Sequence, residues 1–187
     1  MARTVPVMPS ESPGNFITGA LFNATIKALG DFLAGTGSNG APMFFGYQAT
    51  AQAVATGTTG APLTLDVEII DTDGGHSTTS NTSRYVCQVA GFYLLFGCVT
   101  WLQNATDERI VTYAKNGTTI AGGSQVQANP VTSAHATVNT GSVIIVPLAV
   151  GDYVEVVGAQ NSGGSLSTAA DVAAGKNCSM LCMWVHA

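Results

Sequence analysis

The residues of this chain with chemistry to offer are few. They are His76, His135 and His186, the cysteines Cys87, Cys98, Cys178 and Cys182, and the carboxylates of Asp66, Glu68, Asp71 and Asp73. Asp71 and Asp73 alternate just ahead of Gly74-Gly75-His76, the spacing with which a loop offers oxygens to a hard cation. No bidentate Glu follows at the right distance, so the segment reads as a turn held by aspartate side chains. His135 lies in a Thr- and Ala-rich run and reads as an ordinary strand residue; His186 stands beside the end. Asp66 and Glu68 fall on one strand face and are expected to meet water. Glycosidase chemistry needs two carboxyls facing each other across a cleft, which this spacing does not establish. No Gly-x-Ser-x-Gly elbow, phosphate loop or His-Glu-x-x-His zinc motif occurs. The expectation is a non-enzymatic chain with no catalytic residue, metal or cofactor. The cysteines form no Cys-x-x-Cys pair. Cys178 and Cys182 share one strand face, and zinc would need a closer set with His partners. Reduced thiols, packed as small apolar groups, are expected.

Charged residues make up 9% of the 187, against about a quarter in soluble proteins. With 46% hydrophobic residues, a disordered chain is not expected. Gly, Thr, Ser, Ala and Val suit strands, turns and a surface covered by neighbours. The net charge is −5, and the six cations (Arg3, Lys27, Arg84, Arg109, Lys115, Lys176) are scattered. They assemble no basic patch, which argues against nucleic acid as a partner. The N-terminus has no signal-like apolar run, and nothing approaches the roughly 20 apolar residues of a membrane span. Assembly in the producing cell's cytoplasm, without membrane insertion, is expected.

The elements that must position these groups fall into three zones. Residues 1–15 are Pro-, Ser- and Gly-rich and read as an extended arm. Residues 16–34 read as one short helix, with Thr18 as N-cap and Gly35 as C-cap. Leu21, Thr25, Ala28 and Phe32 form one stripe; Phe22, Ile26, Leu29 and Leu33 form the next. Gly19 and Gly30 weaken it, and so short a helix is marginal alone. Docking on another chain through Phe16, Ile17, Leu21, Phe22, Ile26, Leu29 and Phe32 is expected, rather than packing on its own domain. Residues 35–42 read as a Gly-rich hinge, and 43–187 as the folded domain.

From residue 43 the pattern turns to period two. Strands are predicted at 43–49, 63–70, 84–90, 92–101, 108–115, 118–121, 135–148, 152–160 and 178–185. Asn116-Gly117 signals a two-residue hairpin, and Gly151-Asp152 and Asp73-Gly74-Gly75 further turns. The class is mainly β, an antiparallel sandwich. Some strands are apolar on both faces. Phe92, Leu94, Phe96 and Cys98 oppose Tyr93, Leu95, Val99 and Trp101. Cys178, Met180, Cys182 and Trp184 oppose Leu181, Met183 and Val185. Residues 143–148 repeat the pattern, whereas 63–70 and 152–157 mix polar residues in. A sandwich strand needs only one buried face, so self-association is expected to cover the other.

The run Arg84-Tyr85-Val86-Cys87-Gln88-Val89-Ala90-Gly91-Phe92-Tyr93-Leu94-Leu95 resembles the central strand motif of TNF-like domains, the fold of the complement one-q globular head. Gly151-Asp152-Tyr153-Val154-Glu155-Val156 is similar to that fold's Gly-Asp turn and strand. Ser179-Met180-Leu181-Cys182-Met183-Trp184-Val185 sits where its last core strand belongs. A narrower resemblance is to minor tail proteins of phages that infect actinobacteria. It is carried by Asp71–Ser77, the Arg84–Tyr93 block, Asn104-Ala105-Thr106, Gly151–Glu155 and Met183-Trp184-Val185-His186. Phe16–Asn23 loosely resembles the helix opening many of those chains. The four cysteines depart from that family, and Asp107-Glu108-Arg109 replaces its basic pair. The resemblance implies a homotrimeric jelly roll of a tailed-phage virion: a minor tail or fibre-like component docked through its N-terminus. A capsid decoration protein or head fibre is one alternative, and a module binding host cell-surface glycan through exposed loops another. It places Tyr93, Leu94, Leu95, Phe96, Val99, Trp101, Met180, Leu181, Met183 and Trp184 in core strands or at the trimer interface. Which face lines the threefold axis stays open.

Overall fold

A computed structural model of the chain describes residues 4–8, 10–35, 40–127 and 136–187. Strands are numbered along the chain. The first sheet is built from β1 (Met43–Tyr47), β4 (Val67–Asp71), β6 (Gly91–Trp101), β10 (Thr137–Thr140), β11 (Ile144–Leu148) and β16 (Ser179–His186). Its order is β4-β1-β16-β6, and the far side of β6 is shared by β10 and β11. The second sheet holds β3 (Gly57–Pro62), β5 (Tyr85–Val86), β7 (Arg109–Lys115), β8 (Thr118–Thr119), β9 (Gln125–Gln127) and β12 (Tyr153–Gln160). There β3 and β5 pair with one side of β12, and β7 lies on its other side, carrying β8 and β9. Two short ribbons pair β2 (Ala53–Val54) with β13 (Leu166–Ser167), and β14 (Ala170–Asp171) with β15 (Lys176–Asn177). The pairings between these strands are antiparallel.

Period two explains the core. Tyr93, Leu95, Val99 and Trp101 of β6, with Phe44 of β1 and Met180 and Cys182 of β16, are buried against Val111 and Tyr113 of β7 and Val154 and Val156 of β12. Gly97 continues the inward row of β6. It carries no side chain because Tyr113 enters there: its phenolic oxygen accepts from Gly97 N–H at 2.8 Å. A Cβ on Gly97 would stand 2.5 Å from Val156 Cγ2. All four thiols are free. Burial pushes Cys178 up to about 12 and Cys182 well above the ordinary thiol range. Cys98 departs from the expectation of burial, since it stands on the outer side of β6, half-exposed.

Several predicted elements shifted. The Asn116-Gly117 hairpin forms, with φ of 51° and 77° at its two turn residues, the left-handed pair that a primed two-residue turn requires. The run 135–148 divides into β10 and β11 around residues 141–143, where Gly141 N–H donates to Gly97 O at 2.9 Å. His135, where that run is predicted to begin, lies outside the described residues. Leu63 and Leu65 are buried without joining a strand, and regular pairing begins at Val67. Ile69 is an extra residue on β4: Ile70 pairs with Phe45 but Glu68 with Gly46, a bulge. Strand β3, rich in Thr and Gly, has no strand signal of its own and exists through its pairing with β12, a tertiary override of propensity.

The helix is continuous from Gly19–Phe22 through a π-helical Asn23–Lys27 to Ala28–Ala34. Thr18 caps it as expected, accepting from Leu21 N–H at 3.1 Å. Gly35 ends it differently. Its φ is −71°, not left-handed, and its N–H donates to Asp31 O at 2.8 Å. A Cβ there would lie 2.0 Å from that carbonyl oxygen. Of the expected hinge, residues 36–39 lie outside the described residues.

Candidate assembly face

The register of the first sheet sorts its outer side chains into rows. Met43, Met183, Leu94 and Ile145 are lateral neighbours across β1, β16, β6 and β11. One step along, Ile70, Phe45, Leu181 and Phe96 form the next row across β4, β1, β16 and β6. The third row turns polar: Val67, Tyr47, Ser179, Cys98 and Thr140. Side chains at the centre of the face half-cover one another, and Ile145 at its edge is 60% exposed. Beside the third row opens a groove of about 400 Å³ lined by Phe45, Tyr47, Ile69 and Cys98. Cys98 Sγ lies 3.2 Å from Ser179 Oγ there.

The residues named from sequence therefore divide. Tyr93, Leu95, Val99, Trp101 and Met180 are core, and Trp184 packs half-buried at the core's margin. Leu94, Phe96, Leu181 and Met183 are on the open face. Sequence reasoning missed Met43, Phe45 and Ile70, although the alternation Met43-Phe44-Phe45-Gly46-Tyr47 carries the signal.

No family model matches the sequence, and no curated protein matches it either. Solved structures do match in fold. The globular domain of zebrafish complement 1qA superposes with a TM-score of 0.54 at 11% identity, over 78% of this chain and 98% of that one. Murine APRIL gives 0.51 at 10% identity, over 76% and 98%. Eiger TNF from S. frugiperda gives 0.50 at 18% identity, over 79% and 93%. The chain has the TNF-like jelly-roll fold.

Loops around this jelly roll carry the remaining polar groups. Asp71 does hold its turn, accepting from Gly75 N–H at 3.2 Å and His76 N–H at 2.9 Å. Asp73 accepts from Tyr85 O–H at 3.0 Å, and burial with that carboxylate beside it drives the phenol far above its ordinary range. Glu68 is exposed, as expected, and Asp66 half-buried, but each is also tied to the scaffold. Asp66 accepts from Ala49 N–H, and Glu68 Oε1 lies 2.7 Å from His76 Nδ1. His76, stacked on Phe44 at 4.7 Å, places Nε2 3.0 Å from Thr82 O. These contacts fasten the 72–84 loop to the sheet; none aims a titratable pair across a cleft. Arg109 is buried, and its guanidinium donates to the carbonyls of Asn104, Thr106 and Glu108. It serves the 102–108 loop from inside rather than the surface.

The N-terminal helix also divides by face. Its Leu21–Thr25–Ala28–Phe32 stripe turns inward and its Phe22–Ile26–Leu33 stripe outward. Phe32 is 2% exposed and meets Trp184 edge-on at 5.0 Å. It is thus spent on its own jelly roll, which corrects its reading as a residue that docks on another chain. Leu21 joins Met8, Ile17 and Thr25 around a small groove where the arm meets the helix, and Leu29 is half-buried. Phe16 at 91%, Ile17, Phe22 and Ile26 remain exposed.

Proposed function

We propose that this chain is a non-enzymatic structural module that assembles as a homotrimer through the outer face of its first sheet. The observation that carries the reading is the pair of apolar rows, Met43–Met183–Leu94–Ile145 and Ile70–Phe45–Leu181–Phe96. A contiguous apolar face of this kind marks an interaction surface. A second copy is its natural cover, because the same patch recurs on every copy. The TNF-like fold supports the trimer over other closed assemblies. Within that reading, residues 43–187 are the head, and residues 1–34 attach it through Phe16, Ile17, Phe22 and Ile26. The role we assign is a minor tail or fibre-like component of a tailed-phage virion, resting on the sequence motifs that resemble such proteins; a capsid decoration protein or head fibre uses the same parts. Equilibrium sedimentation of the full chain tests the assembly: a single trimeric species at micromolar concentration is expected, and a monomer would end the reading. Immunogold labelling of purified particles tests the location, with label on the tail expected.

A further inference from the structure

The outer face of the second sheet is built for something else. Register sets Pro62, Val157 and Thr112 in one row and Glu155, Ala114 and Thr119 in the next. Together with Thr58 they bound a groove of about 350 Å³ on the far side of the sandwich from the apolar rows. Its floor is apolar, from Val157, Ala114 and Pro62, and its walls carry threonine hydroxyls.

Glu155 gives the groove its character. It is 3% exposed, and Oε1 alone accepts both Ser83 O–H at 2.6 Å and Arg84 N–H at 3.2 Å. Oε2 accepts from none of the described residues, although an ionised carboxylate has about four acceptor positions. Fastening Ser83 and Arg84 to β12 needs one oxygen only. Glu155 thus keeps free acceptor positions on a side chain that lines the groove. The guanidinium of Arg84 is fixed in turn, with Cζ 4.1 Å from the centre of the Tyr153 ring, so the charge of Glu155 stays compensated. What remains is a strong acceptor without net attraction for a cation.

We propose that this groove binds a neutral sugar residue. Hydroxyl groups on adjacent ring carbons would donate to Glu155 Oε2 and bond with the hydroxyls of Thr58 and Thr119. The ring's C–H face would rest on Val157 and Ala114. The volume suits one ring, being near the small end of ligand sites. Glycan binding through exposed loops is one alternative read from the sequence; the groove proposed here lies on a strand face instead. The site is independent of the trimer reading, which uses the opposite sheet.

Titration of the isotopically labelled full chain tests it, followed by NMR. The probes are the methyl glycosides of glucose, galactose, mannose and N-acetylglucosamine, with methylammonium chloride as the cation control. Saturable shifts at the amides of Thr112, Ala114, Glu155 and Val157 are expected with at least one sugar at millimolar concentration, and none with methylammonium. Thr58→Val and Thr119→Val, which leave the Glu155 anchor in place, are expected to weaken binding by about tenfold each. Glu155→Gln should weaken it further where the variant folds. No saturable shift with any of the four sugars, or equal shifts with methylammonium, would overturn the proposal.

Discussion

Asn116 and Asp152, 36 residues apart in sequence, lock two turns into one unit: Asn116 Nδ2 donates to Asp152 Oδ1 at 2.7 Å. Asn116 Oδ1 accepts Tyr153 N–H at 2.9 Å in return. Asp152 Oδ2 accepts Ala149 N–H at 2.8 Å and Lys115 Nζ at 2.8 Å. The β7–β8 hairpin and the turn into β12 thus share one hydrogen-bond network.

That network predicts acid sensitivity. The bonds from Lys115, Asn116 and Ala149 N–H hold the Asp152 carboxyl down at about 2, below its ordinary 3.8. A depressed carboxyl contributes stability that is complete above its unfolded value and is lost as pH falls through the folded one. Asp152→Asn should therefore cost about 1 kcal/mol at neutral pH, after allowance for solvent screening of Lys115. The variant should also lose less stability than the parent between about pH 4 and pH 2. Urea denaturation across that range measures both.

Neighbours on β6 separate core from interface. Leu94→Asp should give folded monomers, because it charges only the open face. Tyr93→Asp should abolish folding, since Tyr93 is fully buried and a buried unpaired charge costs several kcal/mol. Light scattering and circular dichroism read the two outcomes.

Tyr113 stands in a slot walled by glycines. A Cβ on Gly141 would come within 2.3 Å of its phenolic oxygen, and one on Gly123 within 2.4 Å of Cδ2. Gly141→Ala should lower stability by about 1–3 kcal/mol through overpacking. Tyr113→Phe should cost about 1–3 kcal/mol by leaving Gly97 N–H buried without an acceptor. Thermal unfolding measured by calorimetry checks both.

Phe32 fastens the helix to the jelly roll through Trp184. Phe32→Ala should uncover Trp184, shift its fluorescence to longer wavelength and cost about 3 kcal/mol, the scale for deleting a buried aromatic. A chain beginning at Ala41 should still fold and still assemble, with the same spectral shift. Its failure to fold would make the helix part of the core.

Thiol reactivity reports the assembly. Cys87, Cys178 and Cys182 are buried and should react with a maleimide only on denaturation. Cys98, beside the apolar rows, should label readily in the Leu94→Asp variant and slowly in the parent, as followed by mass spectrometry.

Much of this was legible in strands such as β6 and β16, where two-residue periodicity separates Leu94 from Tyr93 and Leu181 from Met180. Which set faced inward was not, because both are apolar. The decision comes from the other sheet, which presents Tyr113, Val154 and Val156 to Tyr93, Leu95 and Val99. Gly97 was the available clue: a glycine between Leu95 and Val99 marks the face that something bulky approaches. The groove around Glu155 was hidden because β3 has no strand pattern of its own, and without β3 nothing places Pro62 and Thr58 beside Val157. The partnership of Phe32 with Trp184 spans residues at opposite ends of the chain, where no local pattern reaches.

The bulge at Ile69 bears on how large the assembly can grow. A flat edge strand is a template on which further chains can stack by backbone pairing. The extra residue in β4 breaks the even spacing of amide and carbonyl groups along that edge, and a bulge also bends and twists its strand. In the proposed assembly this disfavours backbone pairing of further copies at that edge and leaves the apolar face, where an interface around a rotation axis would close on itself. Under that reading the bulge would favour a closed assembly of fixed copy number over an open-ended fibril.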